Sequence, residues 1–214
     1  MRLPFTGVTP RDIPDGWEHE LEAVLLRLPG SGVGECGLDK AIKEDITLEV
    51  QEHILHRHAQ LAQRLGRPLT VHCVGAWGRL QAVLSTYRDS PIILHSANSC
   101  SVESALLLAA QPNIYFSFTG RSIQPRVRQL MRSVPYNRFL IETDSPDQLL
   151  ASLKTATGRP GEGEGEGEGE DQDFNKPANL RVACEEIAEA LGVDSAQLGE
   201  LSCRNARLVF DFTA

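Results

Sequence analysis

Asn137-Arg-Phe-Leu-Ile-Glu-Thr-Asp-Ser-Pro146 is the stretch from which the rest of the chain is read. Phe139, Leu140 and Ile141 form a short apolar run of the kind that makes a fully buried strand, and it stops at Glu142, Thr143 and Asp144 before Pro146 ends it. A carboxylate therefore stands where a buried strand surfaces. In parallel α/β folds active-site groups gather at that end of the strand, which makes Asp144 a candidate ligand or base.

Three earlier stretches repeat the design. Gly32-Val-Gly-Glu-Cys-Gly-Leu-Asp39 delivers Glu35, Pro68-Leu-Thr-Val-His72 delivers His72, and Pro91-Ile-Ile-Leu-His95 delivers His95. A single such ending is commonly a cap or a hydrogen-bonded structural residue. Four together, Glu, His, His and Asp, form a set suited to a divalent cation, because imidazole and carboxylate hold Zn, Mn or Fe and leave positions open for water.

At these residues the chain resembles the TatD-type metal-dependent hydrolases, the TatD-related deoxyribonucleases. The resemblance rests on Gly34-Glu35-Cys36-Gly37-Leu38-Asp39, on Val71-His72 with Ala76 following, on Leu94-His95 and on Glu142-Thr143-Asp144-Ser145-Pro146. It extends to Asn175-Lys-Pro177 and Asn205-Ala-Arg-Leu-Val-Phe210, and covers roughly residues 16 to 210 apart from one insert.

The resemblance implies a TIM-barrel-like (β/α) fold and metal-assisted hydrolysis of DNA phosphodiester bonds by an activated water. It implies one or two divalent ions (Mg, Mn or Zn), with Glu35 bridging, His72 and His95 completing one site, and Asp144 serving the other and taking the proton from the attacking water. The family barrel opens with an Asp-x-His-x-His strand that this sequence does not show. The expectation is an incomplete barrel containing about the last five βα units, with the Glu35 strand and the Phe139–Ile141 strand as open edges.

His56-Arg-His58 has the letters of the missing motif, but lies in a helical pattern where residues two apart face different ways and cannot chelate one ion. His53 and His56 are expected on a solvated helix surface. Arg79, Arg121 and Arg126 follow strand ends and are candidates to neutralise substrate phosphates.

Between these stretches strand and helix patterns alternate, the signature of parallel βα units. Strands are expected before Glu35 and over 68–73, 91–95, 113–118 and 138–143. Helices are expected over about 45–65, 76–88, 101–110, 122–132, 178–191 and 195–208. A chain of 214 residues with 41% hydrophobic content reads as one domain, 1–214. Within it Gly161-Glu-Gly-Glu-Gly-Glu-Gly-Glu-Gly-Glu170 has no apolar face and repels itself, so 155–173 reads as a disordered Gly/Glu-rich loop insert.

The net charge of -8 does not exclude a nucleic-acid partner. Seven of the 29 acids lie between Glu162 and Asp173, and without them 22 acids face 21 basic residues. Binding to a phosphate polymer then depends on local patches and ions. No run approaches the ~20 apolar residues of a membrane helix, and Met1-Arg-Leu-Pro-Phe-Thr-Gly7 has no signal-peptide core, so a cytoplasmic or nuclear protein without membrane contact is expected. Five cysteines without paired short spacing suggest reduced thiols.

Three functions stay open on these observations. One is a metal-dependent nuclease acting on DNA. The second is an inactive or impaired fragment of such an enzyme. The third is an amidohydrolase acting on a small ester or amide, since the same ligand set serves both chemistries.

Overall fold

The computed structural model describes residues 16–44, 46–155 and 175–210. Its elements are α1 (Trp17–Arg27), β1 (Val33–Asp39), α2 (Leu48–Leu65), β2 (Leu69–Val74), α3 (Trp77–Leu84), β3 (Ile92–Leu94), α4 (Val102–Ala109), β4 (Ile114–Thr119), α5 (Pro125–Ser133), β5 (Phe139–Glu142), α6 (Ala151–Thr155), α7 (Leu180–Leu191) and α8 (Ser195–Phe210). The strands pair in parallel and in chain order, from β1 to β5. Among the described residues β1 and β5 each pair on one side only, so the sheet is open.

All five expected strands are present, four of them within one residue of their expected ends; β1, expected before Glu35, instead runs through that residue to Asp39. Local chemistry explains the helix boundaries. Thr47 accepts from the Val50 N–H at the start of α2, and Gly66 closes that helix at φ 61. Pro125 stands in the first turn of α5. Helix α3 ends four residues earlier than expected, where the Ser85 and Thr86 hydroxyls donate to the carbonyls of Ala82 and Val83. Helix α1 was not expected, although Leu21, Leu25 and Leu28 carry helical spacing. The Gly/Glu-rich insert lies outside the described residues except for Thr155, which closes α6.

Period-two alternation gives the sheet two different faces. Leu69, Val71, Ile92, Leu94, Ile114, Phe116, Phe118 and Phe139 face the helices and form the main core with Leu55, Leu80, Leu108, Leu130 and Ile187. On the other face, Ile93 and Leu140 meet Val209 of α8 in a second, smaller cluster joined by Tyr115, Ala206 and Phe210. Towards the strand C-termini that same face turns polar. There it carries Thr70, His72, Ser117 and Glu142, and His95 just beyond β3.

The expected open edges are partly closed by helix side chains. Along β5, the Ser202 hydroxyl accepts from the Ile141 N–H at 3.0 Å. The Asn205 amide donates to the Tyr136 and Phe139 carbonyls at 2.8 and 2.9 Å. At the end of β1, Gln51 of α2 accepts from the Asp39 N–H at 2.6 Å and donates to its carbonyl at 3.0 Å. These contacts pair strand groups that would otherwise template another chain.

Candidate metal centre

The centre begins with an irregularity in β1. Between Val33 and Cys36 β1 advances three residues while β2 advances two, from Leu69 to Val71. One extra residue in one strand is a bulge, which re-aims the local side chains. Two glycines allow it. A Cβ on Gly34, at φ 135, would lie 2.6 Å from the Thr70 carbonyl oxygen, and one on Gly37 would lie 1.9 Å from that of His72. Only glycine lets β1 approach β2 this closely.

The bulge delivers one carboxylate oxygen to two imidazoles. Glu35 Oε1 lies 3.2 Å from His72 Nδ1 and 3.6 Å from His95 Nε2. The imidazole rings lie with centroids 6.0 Å apart. Donor atoms of Glu35, His72 and His95 all fall within 4.8 Å of one another. Asp144 Oδ1 stands 3.4 Å from His95 Nε2, beside this group.

Each histidine is held from behind. Glu142 Oε1 lies 3.0 Å from His95 Nδ1. The same carboxylate accepts from the Ser96 N–H and the Ser117 hydroxyl, each at 2.6 Å. Asp39 Oδ2 lies 3.4 Å from His72 Nε2, and its other oxygen accepts from the Ala41 N–H. A carboxylate behind an imidazole fixes its tautomer and ring angle.

The loop carrying Asp144 is clamped by buried Asn175, whose amide donates to the carbonyls of Thr143 and Asp147 at 2.6 and 2.7 Å. Its own carbonyl accepts from the Ser145 hydroxyl. Asn175 belongs to the Asn-Lys-Pro motif quoted above, but nothing local in the sequence states its task.

Electrostatics follow from this crowding. Burial disfavours the Glu35 charge, yet His72 and His95 outweigh it and hold the carboxyl below its ordinary value. The hydrogen bond to Glu35 raises His72. His95 is opposed by burial, but Glu142, Glu35 and Asp144 together lift it to about 9. Burial raises Asp144, and His95 and Gln148 offset only part of that.

The structure thus brings Glu35, His72, His95 and Asp144 near one another and sets Asp39 and Glu142 beside the two imidazoles, residues that sequence reasoning did not assign. Their signal was alternation: Glu142 is on the same face of its strand as the site, two residues before Asp144. The arginines fare differently. Arg79 turns to α2, where it donates to Glu52 at 2.6 Å and Glu49 at 3.0 Å, so the expectation that it meets substrate is not met. Arg126 donates to the carbonyls of Cys100 and Asn98. Arg121 is exposed on the turn after β4, at the site end of the sheet, and no described residue pairs with it.

His56 and His58 are away from the centre. His56 Nδ1 is 2.7 Å from the Tyr87 hydroxyl, and His58 Nδ1 is 2.9 Å from the Ile54 carbonyl while its ring stacks on Trp17. Of the three α2 histidines only His53 is solvent-exposed, so the solvated surface expected for His56 is not found. The five cysteines are free thiols, and burial pushes Cys73 and Cys100 up to about 12, which leaves them protonated at neutral pH. Among the described residues no helix is long and apolar enough to cross a membrane.

The family model described as TatD related DNase matches residues 2–211. A curated protein of Citrobacter rodentium, "3'-5' ssDNA/RNA exonuclease TatD", is 30% identical over 97% of this chain and 76% of its own length. Its counterpart of the same name in Escherichia coli K12 is 28% identical over 95% of this chain and 76% of its own length. Among solved structures, YJJV, a TatD homologue from E. coli K12, superposes with a TM-score of 0.76 at 20% identity, covering 95% of this chain and 73% of that one. A TatD family hydrolase from Entamoeba histolytica gives 0.72 at 19% identity, covering 94% and 70%.

Proposed function

Because the chain belongs to the TatD-related DNase family, we propose that Glu35, His72 and His95 hold a divalent ion, and that the protein is a hydrolase removing nucleotides from the 3′ end of single-stranded DNA or RNA. The observation that carries the reading is the single oxygen of Glu35 facing His72 Nδ1 and His95 Nε2 at 3.2 and 3.6 Å. Ligands about 2.1 Å from a tetrahedral ion stand about 3.4 Å apart. The Glu35 oxygen therefore stands near that spacing from both nitrogens, as a shared divalent ion requires.

An ion there supplies a Lewis acid for a phosphoryl oxygen and lowers the pKa of water. The rest of the work falls to this chain's own residues. Glu142 and Asp39 keep the two imidazoles turned so that one nitrogen of each faces Glu35. Asp144 accepts the proton of the attacking water at Oδ1. Its partial burial raises its basicity for that task. Arg121, an exposed cation on the turn after β4, meets a backbone phosphate in this reading, in a protein whose body is otherwise nearly neutral.

The test is cleavage of 5′-labelled single-stranded DNA and RNA with added Mn²⁺ or Mg²⁺, paired with elemental analysis of the purified chain. Ladders that shorten from the 3′ end, lost in Glu35→Ala and Asp144→Ala, are expected. Turnover that persists in both variants, or folded protein that binds no ion, would refute the assignment. Cleavage of small esters with nucleic acids left intact would favour an amidohydrolase instead.

A further inference from the structure

We infer that Gln148 is a positioning residue for Asp144, its side-chain amide holding one oxygen of that carboxylate so that the other is presented to His95, one of the three clustered metal-type ligands. The inference rests on the reading above, in which Asp144 receives the proton.

The argument starts with backbone conformation. Asp144 has φ 58, Gln148 φ 54 and Ser96 φ 48. Residues with a Cβ rarely adopt this left-handed region, and such positions persist where their surroundings over-determine them. Only one other described non-glycine residue, Ser122, shares it. Three of the four are therefore joined by a single side chain.

That side chain uses both of its donors and one acceptor position. Gln148 Nε2 donates to Asp144 Oδ2 and, at 2.6 Å, to the Ser96 hydroxyl. Its Oε1 accepts from the Thr119 hydroxyl at 3.0 Å. Ser96 follows His95 beyond β3, Thr119 ends β4 and Asp144 lies beyond β5, so one amide ties three strand exits together. Thr119 is itself fixed, because Asn98 accepts from its N–H and donates to its carbonyl, both at 3.0 Å.

The amide has one sensible orientation. Reversed, it would set its oxygen against the Asp144 carboxylate. With Oδ2 occupied, Oδ1 is the oxygen left facing His95 Nε2 at 3.4 Å. A lysine or arginine here would hold the carboxylate by pairing its charge. The amide holds it without adding one.

The experiment compares wild type, Gln148→Leu, Gln148→Met and Gln148→Glu in Mn²⁺-supported cleavage of single-stranded DNA, with Mn²⁺ affinity by calorimetry and melting temperature measured in parallel. Leu and Met keep the volume and remove both donors, and either alone suffices if the other folds poorly. Expected is a 10- to 100-fold fall in kcat for these variants, with KM and the Mn²⁺ Kd within about threefold of wild type. Gln148→Glu falls further, because a second carboxylate faces Asp144. A kcat within twofold of wild type in a folded Leu or Met variant overturns the inference, as does a loss confined to KM or to Mn²⁺ binding. Glu35→Ala is the control that separates the two levels of argument: if it cleaves like wild type, or wild type does not cleave, the reading of the whole site falls and this inference with it.

Discussion

The Nδ1 atom of His95 lies 3.0 Å from Oε1 of Glu142, and this contact turns the imidazole so that Nε2 faces Glu35 and Asp144. Glu142 also receives the Ser96 N–H and the Ser117 hydroxyl, so its two oxygens serve three donors. A glutamine has one oxygen and an NH₂ group, and must set that NH₂ against at least one donor. Glu142→Gln should weaken Mn²⁺ binding or turnover 10- to 100-fold. Calorimetry and single-turnover cleavage that match wild type would remove Glu142 from the machinery.

Binding of an ion to the folded centre, and not to the unfolded chain, must stabilise the protein. At a free concentration of 100 times Kd the gain is about 2.7 kcal/mol, which for a chain of this size raises Tm by roughly 5–10 °C. Titrating Zn²⁺ or Mn²⁺ while monitoring thermal unfolding should show this rise in wild type. It should be absent in His72→Ala, and chelation should reverse it. Equal rises in both proteins would place the ion elsewhere.

Gly37→Ala tests the close approach of β1 to β2. The added Cβ would sit 1.9 Å from the His72 carbonyl oxygen, a backbone atom with nowhere to yield. The cost should be about 3 kcal/mol or more, read by urea denaturation, and Mn²⁺ binding should weaken as His72 and Glu35 separate. A cost below about 1 kcal/mol would mean that the strands lie further apart than described.

Asn205 is buried on α8 and donates to the carbonyls of Tyr136 and Phe139 at the β5 edge. Asn205→Leu leaves two carbonyls without that donor and should cost about 1–3 kcal/mol. The exposed edge should also promote self-association, measurable by light scattering. Unchanged stability and a monodisperse variant would argue that the edge needs no such cap.

His58 carries the pH prediction. Burial holds it below its ordinary value, although the Ile54 carbonyl and Glu18 act in the other direction. The unfolded chain, with histidine near its reference value of about 6.5, then binds more protons than the folded chain as pH falls. Stability contributed by His58 is complete above about pH 6.5 and lost below it. Wild type should exceed His58→Gln in stability by a larger margin at pH 7.5 than at pH 5.5. The same margin at both values would refute the assignment.

Much of this architecture is written locally. Buried parallel strands need apolar runs, the helices between them need a 3.6-residue period, and both patterns sit in contiguous residues; the five strands therefore appear where the alternation predicts them. The candidate ligand types were also legible, since Glu35, His72, His95 and Asp144 each follow or interrupt such a run. What escaped was direction. Arg79 follows β2 just as a phosphate-binding residue would, but two acids of α2 lie within its reach and take its guanidinium.

The sequence by itself thus determined the order of the βα units and the four side chains available at the strand ends. Tertiary structure alone decided that α8 crosses to cover Ile93 and Leu140 and to cap β5, and that Glu142, Asp39, Asn175 and Gln148 support the centre. The reason is sequence separation. Ser202 meets Ile141 across 61 positions, Gln148 meets Ser96 across 52, and Asn175 meets Thr143 across 32. A hydrogen bond has short range and strict direction, so its partner is chosen only once the fold has brought distant chain segments within about 3 Å.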